Sequence, residues 1–295
     1  MNNNLIHTLS IAVILSASIL VQGQDSSGSG YAPVNGLRMH YEIHGQGETL
    51  ILIHGGLGSS DMFNAILPEL SRRYEVITVD LQAHGRTADI DRPLSYEALG
   101  DDIAGLIRYL KIPAADVMGY SVGGEVALRT AIQHSDVVKK LVIVSATYRR
   151  DGWYPEIIAD ESQLNAQTAE QMKQTPIYQS YAQIAPHPQD WPVLCTKLGN
   201  MFRQDYDWSA EVAKIKLPVL LAFGDADAVR TASAVQFFEL LGGGRRDGGW
   251  DGSGMSNVRL AILPGTTHYT IFASAQLASA VTQFLNAPIQ PSHQK

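Results

Sequence analysis

A chain of 295 residues with a formal net charge of −7, and no Lys/Arg run longer than pairs such as Arg149-Arg150 and Arg245-Arg246, offers nucleic acid no basic face. Its 45% hydrophobic and 17% charged residues are those of a globular chain with enough apolar surface to fill a sizeable core. Cys195 is the single cysteine, which excludes an intrachain disulfide and reads as a small apolar core residue, and no CxxC, HExxH or GxxxxGK[ST] pattern signals a metal or a nucleotide.

Residues 1–23 carry no Lys, Arg, Asp or Glu, and Ile11 to Val21 form an apolar run as long as a secretory signal core, short of the ~20 residues of a membrane-spanning helix. This segment reads as a signal peptide cleaved before Gln24, which predicts a secreted or periplasmic protein with no stable membrane insertion after cleavage. An uncleaved anchor is the alternative, because only the α-amino group and His7 supply positive charge ahead of the apolar run. Residues 24–30 read as a flexible polar linker.

From Leu37 to Ile43 apolar and polar residues alternate, as on an antiparallel edge strand. Thr49 to Ile53 is a short apolar strand ending in His54-Gly55-Gly56-Leu57-Gly58. A helix is expected around 60–73, a strand from Glu75 to Asp80, and a helix around 96–110. The apolar run Asp116-Val117-Met118 then leads into Gly119-Tyr120-Ser121-Val122-Gly123-Gly124 and a helical stretch from Glu125 to Gln133. A GxSxG between strand and helix is the context of a nucleophile elbow, where glycines on either side leave room for a serine on a strained turn. Ser121 is thus a candidate nucleophile. A hydroxyl attacks poorly near neutral pH, so it requires a histidine base and a carboxylate that orients the base.

Leu141 to Ser145 reads as the next strand, after which the alternation of strand and helix stops. Residues 148–210 have helical character and hold Tyr148, Trp153, Tyr154, Tyr178, Tyr181, Trp191, Phe202, Tyr206 and Trp208, which suggests an aromatic-walled, largely apolar pocket, with packing of the segment onto the core as the alternative role for any single ring. Leu217 to Gly224 is a buried strand with Asp225-Ala226-Asp227 past its end, and Val258 to Leu263 is another, followed by Pro264-Gly265-Thr266-Thr267-His268. Between them, the glycine-rich stretch 242–254 reads as a long flexible loop entering the last strand from the end away from the chemistry. The alternation implies an α/β fold, a mostly parallel sheet with helices on both faces, with its site at the carboxyl ends of the strands.

These motifs, in the chain order Ser121, Asp227, His268, resemble the α/β-hydrolase superfamily in its serine-nucleophile branch, from about residue 31 to residue 286. The resemblance implies a core of 31–147 and 211–286, a helical cap at 148–210 inserted after the sixth strand, and a C-terminal tail at 287–295. It implies catalytic Ser121, His268 and Asp227, the last at the superfamily's spacing beyond Gly224, while Asp225 fixes the turn. Oxyanion donors would be the amides of Val122 and Gly56, with Leu57 the alternative upstream donor. Leu57, Tyr120, Trp153 and Tyr154 are the expected substrate contacts, and neither cofactor nor metal is implied. His54 and His84 are expected to be structural, and the chain departs from the family at Gln82 and Ala83, where relatives usually carry Arg and Gly.

The expected function is hydrolysis of small, fairly apolar carboxylic esters through an acyl-enzyme. The same triad admits lactone hydrolysis, cofactor-free perhydrolysis and carbon–carbon hydrolysis. A small-ligand receptor on a hydrolase fold is the reading from a different class. A serine in place of an aspartate at the nucleophile argues against the dehalogenase and epoxide hydrolase branches.

Overall fold

A computed structural model describes residues 28–289. The expected signal peptide at 1–23, linker residues 24–27 and tail residues 290–295 lie outside the described residues.

In chain order the strands are β1 (Gly28–Val34), β2 (Leu37–His44), β3 (Glu48–Ile53), β4 (Tyr74–Val79), β5 (Ala115–Tyr120), β6 (Val138–Val144), β7 (Val219–Ala226) and β8 (Val258–Thr267). They form one eight-stranded sheet in the order β1-β2-β4-β3-β5-β6-β7-β8. Only the β1/β2 and β2/β4 pairs are antiparallel. The helices are α1 (Leu67–Leu70), α2 (Tyr96–Tyr109), α3 (Val122–Gln133), α4 (Pro155–Ser162), α5 (Ala166–Met172), α6 (Pro176–Ile184), α7 (Trp191–Phe202), α8 (Ser209–Val212), α9 (Thr231–Leu240) and α10 (Ala275–Asn286).

The central strands are apolar at consecutive positions because both faces of the sheet are covered. Ile51, Ile53, Val117, Leu141, Ile143, Leu221 and Phe223 face one core layer, with residues of α2, α3 and α9. Their alternates Leu50, Leu52, Met118, Val142, Val144, Leu220 and Ala222 face the other, with residues of α1 and α10. At ~1.5–3 kcal/mol for each fully buried aliphatic side chain, this two-sided burial fixes the register of the strands that carry the site.

Two expected elements are corrected. Leu37–His44 is not the edge strand, because residues 28–34, partly assigned to the linker, fold back on it through Asn35 and Gly36 at φ of 48° and 82°. An Asn-Gly pair is the usual two-residue hairpin turn, and it joins β1 to β2 here, so residues 28–30 are strand and not linker. The helix expected over 60–73 is a 3-10 turn at Ser60–Phe63 followed by the one-turn α1. Pro68 lies in the first turn of α1, and a proline inside a longer helix would remove a hydrogen bond and clash with the preceding turn. Between β6 and β7 lie α4 to α8, and the 242–254 loop joins α9 to the start of β8, the end opposite His268.

Candidate active site

Ser121 stands between β5 and α3 with φ 53° and ψ −127°, a conformation an L-residue holds at a cost of about 1–3 kcal/mol. The surroundings enforce it: the Ser121 amide donates to Val144 O at 2.9 Å, and its carbonyl accepts from Gly124 N at 2.7 Å. A Cβ on Gly119 would lie 1.9 Å from Gly123 O, and one on Gly123 would lie 2.2 Å from Ile53 O. Both glycines are therefore needed for the elbow to fold against itself and for α3 to start directly over the end of β3.

That close approach brings Val122 beside the loop that follows β3. Gly55 O accepts from Gly58 N at 3.2 Å, and Leu57 takes the positive φ of 57° that the third position of a type II turn requires. Gly56 sits against Val122, where an added Cβ would meet Val122 Cγ2 at 3.1 Å. Val122 is the first residue of α3, so its amide has no acceptor within the helix. His54 braces this loop: its Nε2 accepts from Leu81 N at 3.1 Å, which leaves Nδ1 to donate to Gly55 O at 2.7 Å. Burial lowers the His54 pKa, keeping the ring neutral and in that tautomer. His84 is likewise buried, with Nδ1 on Gln82 O at 2.8 Å and its pKa pushed down to about 3 by burial. Gln82 binds Asp89 and the backbone carbonyls of Ile90 and Arg92, so the departure from the family pattern there serves packing of the 82–92 loop.

The ends of β7 and β8 supply the other two groups. His268 places Nε2 3.1 Å from Ser121 Oγ and Nδ1 3.0 Å from Asp227 Oδ1. Asp227 Oδ1 also accepts from Val229 N at 3.2 Å, and Oδ2 accepts from Gly224 N at 2.9 Å and from Ser145 Oγ at 2.5 Å. Burial alone would raise its pKa; the hydrogen bonds from His268 and Ser145 outweigh that and hold it below the ordinary carboxylate value. Asp225 is exposed and accepts only from Thr266 N, at 3.2 Å. Ser145, at the end of β6 with φ 50°, was not singled out from the sequence. The one available signal was its position at the carboxyl end of the strand next to β7.

A cavity of about 830 Å³ opens over Ser121 and His268. From the core it is lined by Gly56, Leu57, Tyr120 and Val122, and from α4 to α7 by residues that include Ile157, Leu164, Met172, Ile177, Ile184 and Phe202. Leu57 and Tyr120, two of the expected substrate contacts, are among these lining residues, and Tyr120 also donates to His268 O at 2.7 Å. Trp153 and Tyr154 do not line the cavity, and of the nine aromatic residues expected to wall it only Tyr181 and Phe202 do. Tyr154 is exposed, and the other six follow the packing alternative, as with Tyr148 against Phe237 at 4.8 Å and Trp191, whose indole N–H donates to Ala169 O at 3.0 Å. Cys195 is buried and burial raises its thiol pKa to about 12, which leaves it unreactive. Among the described residues, no cluster of three or more His, Cys, Asp or Glu could hold a metal, and no helix is long and apolar enough to cross a membrane.

A sequence model of the alpha/beta hydrolase fold matches residues 48–283. An uncharacterized protein of Mycobacterium tuberculosis is 33% identical over 116 residues, which are 39% of this chain and 34% of that one. The match therefore spans about a third of that relative's length. The pimeloyl-[acyl-carrier protein] methyl ester esterase of Nitrosomonas europaea is 27% identical over 226 residues, covering 68% of this chain and 86% of the esterase. Among solved structures, the enol-lactonase of Burkholderia xenovorans superposes with a TM-score of 0.66 at 22% identity, over 87% of this chain and all of the lactonase.

Proposed function

The chain belongs to the alpha/beta hydrolase fold family, and on that premise we propose that it hydrolyses small, fairly apolar carboxylic esters through an acyl-enzyme on Ser121. The observation that carries this reading is the unbroken hydrogen-bonded chain from Ser121 Oγ through His268 to Asp227 at the floor of a mainly apolar cavity. The esterase relative adds support for the reaction class.

His268 Nε2 takes the proton of Ser121 as Oγ attacks the ester carbonyl, and Asp227 stabilises the imidazolium that forms. The amides of Val122 and Gly56 receive the oxyanion, each worth about 2.7–4 kcal/mol of transition-state stabilisation. His268 returns the proton to the departing alcohol, then activates the water that frees the acid and restores Ser121. Turnover of p-nitrophenyl esters of rising acyl length, with labelling of the Ser121 peptide by a fluorophosphonate read by mass spectrometry, tests the reading. Absence of both turnover and label would sink it, and slow turnover with stoichiometric ligand binding would favour a receptor.

Charge narrows the substrate further. Asp61, Asp160 and Glu161 line the cavity and no Lys or Arg does, but Asp61 is paired with Arg86 at 3.2 Å, which leaves Asp160 and Glu161 to set the charge of this wall. Burial pushes the Glu161 carboxyl up to about 7, against the lowering influence of Arg150. Esters that carry a carboxylate should therefore be poor substrates, and a cationic alcohol should be preferred over its neutral isostere by about two- to fivefold, the range of a partly exposed ion pair. Butyrylthiocholine against 3,3-dimethylbutyl thiobutyrate makes the comparison. The preference should grow as pH rises through 7 and Glu161 ionises, and should shrink in Glu161→Gln. A ratio of kcat/KM values that is identical in both proteins and flat with pH would remove Glu161 from the specificity argument.

We also propose export directed by residues 1–23, supported by their apolar and uncharged composition. Protein recovered from periplasm or medium should then begin near Gln24. An intact Met1 in a membrane fraction would identify an anchor instead.

A further inference from the structure

Trp153 lies ahead of α4 in the segment between β6 and β7 yet is absent from the lining of the cavity that the segment covers; it is 5% exposed. Three of its contacts reach three different elements of the site. Its backbone pairs with Val229 in an isolated antiparallel bridge, and Tyr154 N donates to Ala228 O at 3.1 Å. Val229 N in turn donates to Asp227 Oδ1, so this bridge secures the loop that holds the acid. The indole ring meets His268 edge-on, with centroids 5.4 Å apart and planes at 75°. Its N–H donates to Glu125 Oε1 at 3.2 Å, one helical turn beyond Ser121 on α3, and to Tyr206 OH at 3.2 Å.

The anchor itself is rigid. Glu125 is 1% exposed and also accepts from the Tyr206 hydroxyl, while Tyr206 is stacked on Trp208 at 4.5 Å and packed on Tyr96 at 5.3 Å. A carboxyl this deep, one turn from the nucleophile but absent from the cavity lining, has no part in the mechanism given above. Holding the buried indole N–H, together with the Tyr206 hydroxyl that also donates to it, gives it one.

We propose that Trp153 is a positioning residue that locks the nucleophile helix, the acid loop and the His268 ring into one register, with Glu125 as its anchor. His268 must keep Nε2 on Ser121 while Nδ1 stays on Asp227, and these two partners sit on separate elements, α3 and the β7 loop. The ring faces Tyr120 at 5.2 Å on one side, and Trp153 supplies the buried contact that opposes its rotation. Misplacing a catalytic group by about 1 Å is enough to cost up to ~100-fold in rate. Trp153 reaches substrate through no contact of its own, so its loss should lower kcat and leave KM in place. Burial raises the Glu125 carboxyl to about 8, against the hydrogen bond from Tyr206. A glutamine reproduces both its shape and the acceptor oxygen that the indole N–H uses.

The inference rests on the hydrolase reading, and the experiment separates the two. Trp153→Phe, Glu125→Leu and Glu125→Gln in the full chain are compared for kcat and KM on p-nitrophenyl butyrate, for the rate of Ser121 labelling by a fluorophosphonate, and for Tm. We expect Trp153→Phe and Glu125→Leu to lose about ten- to a hundredfold in kcat and in labelling rate with KM within twofold, and Glu125→Gln to restore both to within about threefold of the parent. In a His268→Ala background Trp153→Phe should have no further effect on the residual rate, because it acts through the histidine. A lowered Tm with unchanged kcat, a raised KM with unchanged kcat, or an equal loss in the His268→Ala background would each overturn the proposal. A parent protein that neither turns over esters nor takes the label would instead fail the hydrolase reading, and this inference with it.

Discussion

Ser121→Ala and His268→Ala are each expected to lower kcat for p-nitrophenyl ester hydrolysis by about 10⁴–10⁶-fold, and the double variant to be little worse than either. The reason is geometric. With Nε2 3.1 Å from Oγ, proton removal and attack are one event, so deleting either partner deletes the same step. On the proposed mechanism, the residual rate would come from the Gly56 and Val122 amides and from the cavity. The two variants should differ in stability: Ser121→Ala removes one hydroxyl, whereas His268→Ala takes from Asp227 a donor that holds its pKa down against burial. Losing that donor leaves part of a buried carboxylate's desolvation unmet, a cost of about 1–3 kcal/mol at pH 7 visible as a lower Tm. Losses in kcat that multiply in the double variant would show that the two side chains do not act as a unit.

Asp227→Asn is expected to cost about 10⁴-fold in kcat, while Asp225→Asn should stay within about threefold of the parent. Four donors converge on the two oxygens of Asp227: His268 Nδ1 and Val229 N on one, Ser145 Oγ and Gly224 N on the other. An asparagine therefore cannot be satisfied in either orientation, because its NH₂ faces a backbone N–H whichever way it is turned. Asp225 accepts one bond, from Thr266 N, which the Asn oxygen can keep. The folded-state pKa of Asp227 lies below its ordinary value, so the carboxylate contributes stability that is present above the usual carboxylate range and is lost as pH falls through the folded value. Asp227→Asn should accordingly flatten the acid limb of stability against pH as well as lower its plateau. Comparable kcat losses at the two positions would leave the orienting acid unassigned.

The runs at 49–53, 141–145 and 217–224 were legible as strands because a strand covered on both faces needs consecutive apolar residues, a requirement visible within a few residues of chain. The elbow was legible for a similar reason: Gly119 and Gly123 stand two residues either side of Ser121, and the clashes that forbid a Cβ at each are with segments the motif itself brings close. The helix expected over 60–73 is interrupted because Pro68 can stand in the first turn of a helix but not inside one, which leaves the one-turn α1.

By itself, then, the sequence determined the α/β fold and the elbow serine, because these follow from short-range pattern, and the resemblance to the α/β-hydrolase superfamily added which histidine and aspartate were expected to join that serine. Only the tertiary structure decided how the segment between β6 and β7 sits, since its amphipathic helices could bury their apolar faces in more than one arrangement. Aromatic content could not say which rings face ligand. The structure puts Tyr181 and Phe202 on the cavity and turns Trp153 inward, because its indole N–H finds its acceptors at Glu125 and Tyr206, groups 28 and 53 residues away. Ser145 came to Asp227 in the same way, across 82 residues and two neighbouring strands. Burying a polar atom with its partner satisfied is a constraint on the folded chain as a whole, and no local pattern records it.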